Sequence, residues 1–123
     1  MNLIDSSAWI EYLVDSDRAS LFSAAIEDTE NLIVPTICLI EVYKVVHRKM
    51  GEEKATLSTD AMSCGKIIDL TKDIAQKAAM LGIEKKLPMA DSIILATARN
   101  YGAVLWTQDA DFKGIEGVNY FPK

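Results

Sequence analysis

The sequence predicts an α/β fold, a central and mostly parallel five-stranded sheet with helices packed on both faces. Three observations lead there. Short apolar runs alternate with longer stretches of helical period, the pattern of strand–helix–strand units and a parallel sheet. Helix starts and stops punctuate the chain: Thr36 and Thr71 in front of apolar-periodic stretches, Gly51 and Gly102 behind them. There is no internal repeat, linker or low-complexity segment, so residues 1–123 read as one domain.

Taken in order, residues 2–5 form the first strand, and Ser6 or Ser7 starts a short helix through Trp9, Ile10, Leu13 and Val14. A second helix is expected over residues 17–28, with Leu21, Phe22, Ala25 and Ile26 on one face. Residues 32–34 make the second strand, closed by Pro35, and Thr36 N-caps the helix ICLIEVYKVVHRKM. Gly51 interrupts that helix and a polar one continues to Ser63. Residues 66–70 are the third strand. Thr71 caps a helix that ends at Lys85 and Lys86 before Pro88. Another helix runs from Met89 to Tyr101, stopped by Gly102. Residues 103–107 and 118–121 supply the last two strands.

Composition narrows the class. Half the residues are hydrophobic and a quarter are charged, enough for a packed core and against disorder. The net charge of −5 argues against coating nucleic acid by bulk electrostatics, yet leaves room for an acidic, cation-binding pocket. No basic leader with a cleavage site opens the chain, and the apolar run from Leu32 to Val46 carries Pro35, Glu41 and Lys44. A soluble, cytoplasmic protein with no membrane partner is expected. Cys38 and Cys64 lack metal-type spacing and read as buried free thiols. A lone histidine, His47, excludes histidine-rich metal sites.

In open α/β sheets ligands bind beyond the carboxyl ends of the strands. Four acids fall near that edge. Asp5 ends the first strand, and Asp109 follows the fourth by two residues. Each alone is explained by turn chemistry. Asp91 opens a helix, where an acid serves the dipole. Glu41 shares a helix face with Ile37 and Val45, an expensive place for a carboxylate without a partner. Together the four converge on one crevice. Crowded carboxylates imply raised pKa values or a bound cation, and oxygen donors without His or Cys suit Mg²⁺ or Mn²⁺. Such a cluster points to metal-assisted phosphodiester hydrolysis.

The segments LIDSS, LIEV, MADSIILATA and TQDADF, in this order and spacing over nearly the whole chain, resemble PIN-domain nucleases, and among them the VapC-type toxins of toxin–antitoxin pairs. The resemblance implies a three-layer α/β/α sandwich that binds Mg²⁺ or Mn²⁺ and cuts single-stranded RNA. It implies Asp5, Glu41, Asp91 and Asp109 as the catalytic acids, with Asp5, Asp91 and Asp109 on the metal and Glu41 on a second metal or acting as general base. Ser6 and Thr107 match hydroxyl positions that orient carboxylates or water, and Asp111 is commonly acidic, so its role can be shared or exchanged with that of Asp109. Water attacks in line and leaves a 5′-phosphate and a 3′-hydroxyl. An antitoxin partner and a homodimer are also implied, with the first two helices and the Glu41 helix as the candidate surface.

Other residues carry simpler explanations. Lys44, His47, Arg48 and Lys49 complement the end of a helix dipole, and some of them line a groove for RNA. Lys85 and Lys86 stand in the same double role, whereas Arg99 is a solvated helix residue. Trp9 and Trp106 lie in apolar runs and belong to the core. Two further functions remain open: a housekeeping RNA-processing PIN nuclease, and a non-catalytic metal- or partner-binding module. A phosphotransferase of the haloacid-dehalogenase type would need an aspartate where Ser7 stands.

Overall fold

The computed structural model describes residues 1–123. Five strands form one sheet in the order β3-β2-β1-β4-β5, and every neighbouring pair is parallel. They are β1 (Asn2–Ile4), β2 (Leu32–Pro35), β3 (Lys66–Ile68), β4 (Val104–Thr107) and β5 (Val118–Tyr120). Six helices flank the sheet: α1 (Ser6–Leu13), α2 (Ser23–Glu27), α3 (Thr36–Met50), α4 (Glu52–Met62), α5 (Lys72–Lys85) and α6 (Met89–Asn100). The expected mostly parallel sheet is thus wholly parallel. One apolar cluster joins strands and helices, with Leu3, Ile4, Ile33, Val34 and Leu105 at its centre, all fully buried. No helix is long and apolar enough to cross a membrane.

The order of the strands decides where a crevice opens. From β1 the chain steps one way to β2 and β3, and later returns to the other side of β1 to add β4 and β5. The carboxyl ends of β1 and β4 therefore flank the switch point. The ladder runs slightly past the strand ends, because the Asp5 N–H donates to the Trp106 carbonyl at 2.9 Å and the Phe121 N–H to Thr107 at 2.9 Å.

Several sequence expectations change. The helix expected over 17–28 is broken into a 3-10 turn (Ala19–Leu21) and the short α2. Phe22, at the break, is fully buried and packs edge-on against Phe121 with centroids 5.4 Å apart, whereas Leu21, expected on the same face, is turned outward. Seating Phe22 outweighs continuing a short helix whose own hydrogen bonds are marginal. Thr36 is the first residue of α3, not its cap. Pro35 holds the cap position at φ −65° and ψ 143°, and no side-chain bond caps the helix there. β3 stops at Ile68, leaving Leu70 exposed. Cys64 is exposed in the turn after α4, and only Cys38 is a buried thiol. Most other ends move by one residue.

The remaining signals act as read. The Thr71 hydroxyl accepts from the Ile74 N–H at 3.2 Å and starts α5. Gly51 ends α3 at φ +92° and Gly102 follows α6 at φ +62°, both in the region that favours glycine. Trp9 is buried, and Trp106 donates its ring N–H to Asn2 at 2.9 Å while stacking on Phe121.

Candidate metal centre

The buried stripe of α3 is Cys38, Val42 and Val46, spaced four residues apart. Ile37, Glu41 and Val45 run beside it and are half-buried. Glu41 therefore stands at the boundary of the core, with its carboxylate directed to the sheet edge. There its Oε1 accepts the Ser6 hydroxyl at 2.7 Å.

Asp5 is the N-cap of α1 and is 4% exposed. Its Oδ1 accepts from the Ser6 N–H at 2.8 Å. Its Oδ2 accepts from the hydroxyls of Ser7 at 3.0 Å and Thr107 at 2.8 Å. The Thr107 hydroxyl, fully buried, accepts in turn from the Asp109 N–H at 2.9 Å. Asp109 Oδ1 then accepts from the Asp111 N–H at 2.9 Å. One chain of hydrogen bonds thus runs from Asp111 through Asp109 and Thr107 to Asp5, and through Ser6 to Glu41. It joins residues from the two ends of the sequence.

Asp91 enters from the first turn of α6 and is 8% exposed. Ligand atoms of Asp91, Asp109 and Asp111 all lie within 4.8 Å of one another. Asp5 is outside that tight group, although its charge acts on Asp91. All seven sequence-derived positions, Asp5, Ser6, Glu41, Asp91, Thr107, Asp109 and Asp111, meet at the carboxyl edge of β1 and β4. Asp111, read as a competitor of Asp109, stands beside it.

The electrostatics are one-sided. Burial pushes the Asp5 carboxyl up to about 6; the bonds from Thr107, Ser7 and Ser6 oppose the rise and the Asp109 charge adds to it. Asp91 is pushed up to about 8, first by burial, then by the charges of Asp109 and Asp5, and further because its protonated form donates to Asp111. Burial also raises the Cys38 thiol, and the Asp5 and Glu41 charges add to that effect. No side-chain cation forms an ion pair with these acids. The two ion pairs in the structure, Arg18–Glu11 and Lys77–Asp73, both lie outside the cluster. A group of hard oxygen donors, crowded and without a basic partner, fits a divalent cation of the Mg²⁺ or Mn²⁺ kind.

The PIN domain family matches residues 3–118. The chain belongs to the PIN domain family. No curated protein matches the sequence. Among solved structures, a toxin–antitoxin complex from Klebsiella pneumoniae is 29% identical, covers 100% of both chains and has a TM-score of 0.82. VapC20 of Mycobacterium tuberculosis, a sarcin–ricin loop cleaving toxin, is 17% identical over 94% of this chain and 95% of its own, with a TM-score of 0.78. A DNA-bound VapBC from Salmonella typhimurium is 16% identical over 99% and 98%, with a TM-score of 0.74. The last two likenesses establish the fold. Membership of the PIN family supports a nuclease.

Three polar residues of this PIN domain escaped the sequence. Ser7 holds Asp5 Oδ2. Gln108, buried at 5% exposure, donates its amide to the Ser7 carbonyl at 3.4 Å. Arg18 donates Nε to Gln108 Oε1 at 2.7 Å and Nη2 to the Phe121 carbonyl at 2.9 Å. Ser7 was detectable, since a hydroxyl two residues beyond an Asp is placed to meet it. Arg18 was not, because Gln108 lies 90 residues away.

Proposed function

We propose that this PIN domain is a metal-dependent endoribonuclease that hydrolyses phosphodiester bonds of single-stranded RNA, and that it is the cytoplasmic toxin of a toxin–antitoxin pair. Residues 1–123 form one catalytic domain in this reading. The observation that carries it is the cluster of Asp91, Asp109 and Asp111 at the switch point, linked through hydrogen bonds to Asp5 and Glu41 and ion-paired to no cationic side chain.

Asp5, Asp91 and Asp109 would hold Mg²⁺ or Mn²⁺, with Asp111 close enough to share or replace Asp109. When bound, the cation neutralises phosphoryl charge and makes water a better nucleophile. The chain does the rest. Thr107 and Ser7 fix one oxygen of Asp5 and the Ser6 N–H fixes the other, so the carboxylate cannot rotate away. Ser6 fixes Oε1 of Glu41, which leaves Oε2 to accept a proton from the attacking water. The water oxygen bonds to phosphorus as its proton passes to Glu41, the P–O3′ bond breaks, and O3′ takes up a proton from solvent. The products are a 5′-phosphate and a 3′-hydroxyl. The substrate 2′-hydroxyl takes no part as nucleophile, so preference for RNA rests on contacts along the strand.

The partner assignments rest on helix faces. A depression of about 520 Å³ lies between α1 and α2, lined by Tyr12, Leu13, Ala19 and Ser23 among others. Ile40 and Leu57 stand more than half exposed on α3 and α4. These faces are assigned to the antitoxin and to a second copy of the chain.

The test uses protein purified free of partners, incubated with labelled single-stranded RNA and Mg²⁺ or Mn²⁺. Cleavage by the wild type, lost with a chelator and in Asp5→Asn, is the expected result. Undiminished cleavage by metal-loaded Asp5→Asn would refute the assignment.

A further inference from the structure

Beside the acid cluster, on the β5 side, lies a second cavity of about 510 Å³ lined by Ser7, Gln108, Asp109, Ala110, Tyr120 and Lys123. It shares Asp109 with the cluster, and Ser7 is the residue that holds Asp5. The floor is fixed. Gln108 accepts from the Arg18 guanidinium and donates to the Ser7 carbonyl, so both ends of its amide are engaged. The same guanidinium grips the carbonyls of Phe121 and Pro122, which ties the C-terminal segment to this wall.

Two lining groups are unengaged. The Tyr120 hydroxyl and the Lys123 ammonium have no hydrogen-bond or ion-pair partner, and the Tyr120 ring stacks on no other aromatic. Tyr120 is the register partner of Thr107, so it stands at the same carboxyl edge as the acids. Lys123 is the only cation in the lining, next to an otherwise acidic centre. A flat ring and an unpaired ammonium on a polar floor held by hydrogen bonds suit a base and a backbone phosphate of one strand.

We propose that this cavity is a nucleotide subsite for the single-stranded RNA, in which Tyr120 stacks a base neighbouring the scissile phosphodiester and Lys123 contacts a phosphate. The proposal rests on the nuclease reading and adds where the strand continues beyond the acids.

The test measures binding and turnover separately. A fluorescent single-stranded RNA is titrated by anisotropy in EDTA, and cleavage of the same RNA is followed in Mn²⁺. Wild type, Tyr120→Ala, Tyr120→Phe and Lys123→Ala are compared. Tyr120→Ala is expected to weaken binding about tenfold, as loss of one base–aromatic stack does, with the loss falling on KM rather than kcat. Tyr120→Phe keeps the ring and should bind like the wild type. Lys123→Ala should lower the salt dependence of binding by the share of about one phosphate. Unchanged affinity in both Tyr120→Ala and Lys123→Ala overturns the subsite, as does a wild type that binds no RNA. Binding with the expected losses but no cleavage supports the subsite and counts against the nuclease reading alone.

Discussion

The two ends of α6 are built on opposite terms. Its body, from Ile93 to Ala98, is buried residue after residue among apolar neighbours, and Ile94 is fully enclosed. Its first turn presents Asp91 to two more carboxylates within 4.8 Å. The body stabilises the fold by removing apolar surface from water. The first turn costs stability, because burial and like charges oppose ionisation of Asp91. One helix therefore both anchors the core and carries the electrostatic cost of the site.

The sharpest way to separate the two ends is to neutralise one and truncate the other. Asp91→Asn should lower cleavage by a factor on the order of a thousand, the upper end of the cost of losing one preorganised electrostatic group, while raising the melting temperature of the metal-free protein by relieving the repulsion among the acids. Ile94→Ala should do the reverse in kind, costing about 3 kcal/mol of stability through a core cavity. Cleavage by the fraction that remains folded should persist. Thermal melts and single-turnover cleavage on both variants check the pair; a destabilised Asp91→Asn would erase the contrast.

Acidity gives a second handle. Burial pushes Asp5 up to about 6, and burial with the charges of Asp109 and Asp5 pushes Asp91 up to about 8, both from an ordinary value of 3.8. The folded chain thus holds more protons than the unfolded chain between about pH 4 and 8, so metal-free stability is highest at the acid end and falls as pH rises through that window. For Asp5 the rise corresponds to about 3 kcal/mol at most. Millimolar Mn²⁺ should oppose this fall above about pH 7, since it binds only the folded, deprotonated site. Melting curves across pH, with Mn²⁺ and with EDTA, read both effects. A metal-free melting temperature that climbs from pH 5 to 8 would contradict the argument.

The smallest expected effect concerns the support of the site. Thr107→Val keeps the shape of a fully buried residue but removes the donor to Asp5 and the acceptor for the Asp109 N–H. Stability should drop by about 1–2 kcal/mol. Mn²⁺ affinity should fall about tenfold or more, as when outer-shell partners of a metal site are removed. Isothermal titration with Mn²⁺ distinguishes this from loss of packing alone.

Much of this site was legible because strand ends can be read locally. Asp5 and Asp109 follow apolar runs, and the switch-point rule says what stands beyond such ends. Thr71 was legible as a cap because its bond to Ile74 lies within one turn. Thr36 was not, since the same residue type serves as first helical residue when a proline already sets the extended backbone before it. The break at Phe22 depends on Phe121, and the clamp by Arg18 depends on Gln108 and the C-terminal carbonyls. Those partners are set by the fold and by no local pattern. The proximity of Asp111 to Asp91 belongs to the same class.

The hydrogen bond between Thr107 and Asp5 spans 102 residues, and Arg18 reaches across 104 to Pro122. A chain still emerging from the ribosome therefore holds its first acid long before the strand that completes the crevice exists. Every truncated product ending before β4 lacks both Asp109 and Thr107, one of the two hydroxyls that orient Asp5. The acids of the crevice are thus brought together only once β4 has paired with β1, so the site and the centre of the sheet are completed by one and the same event.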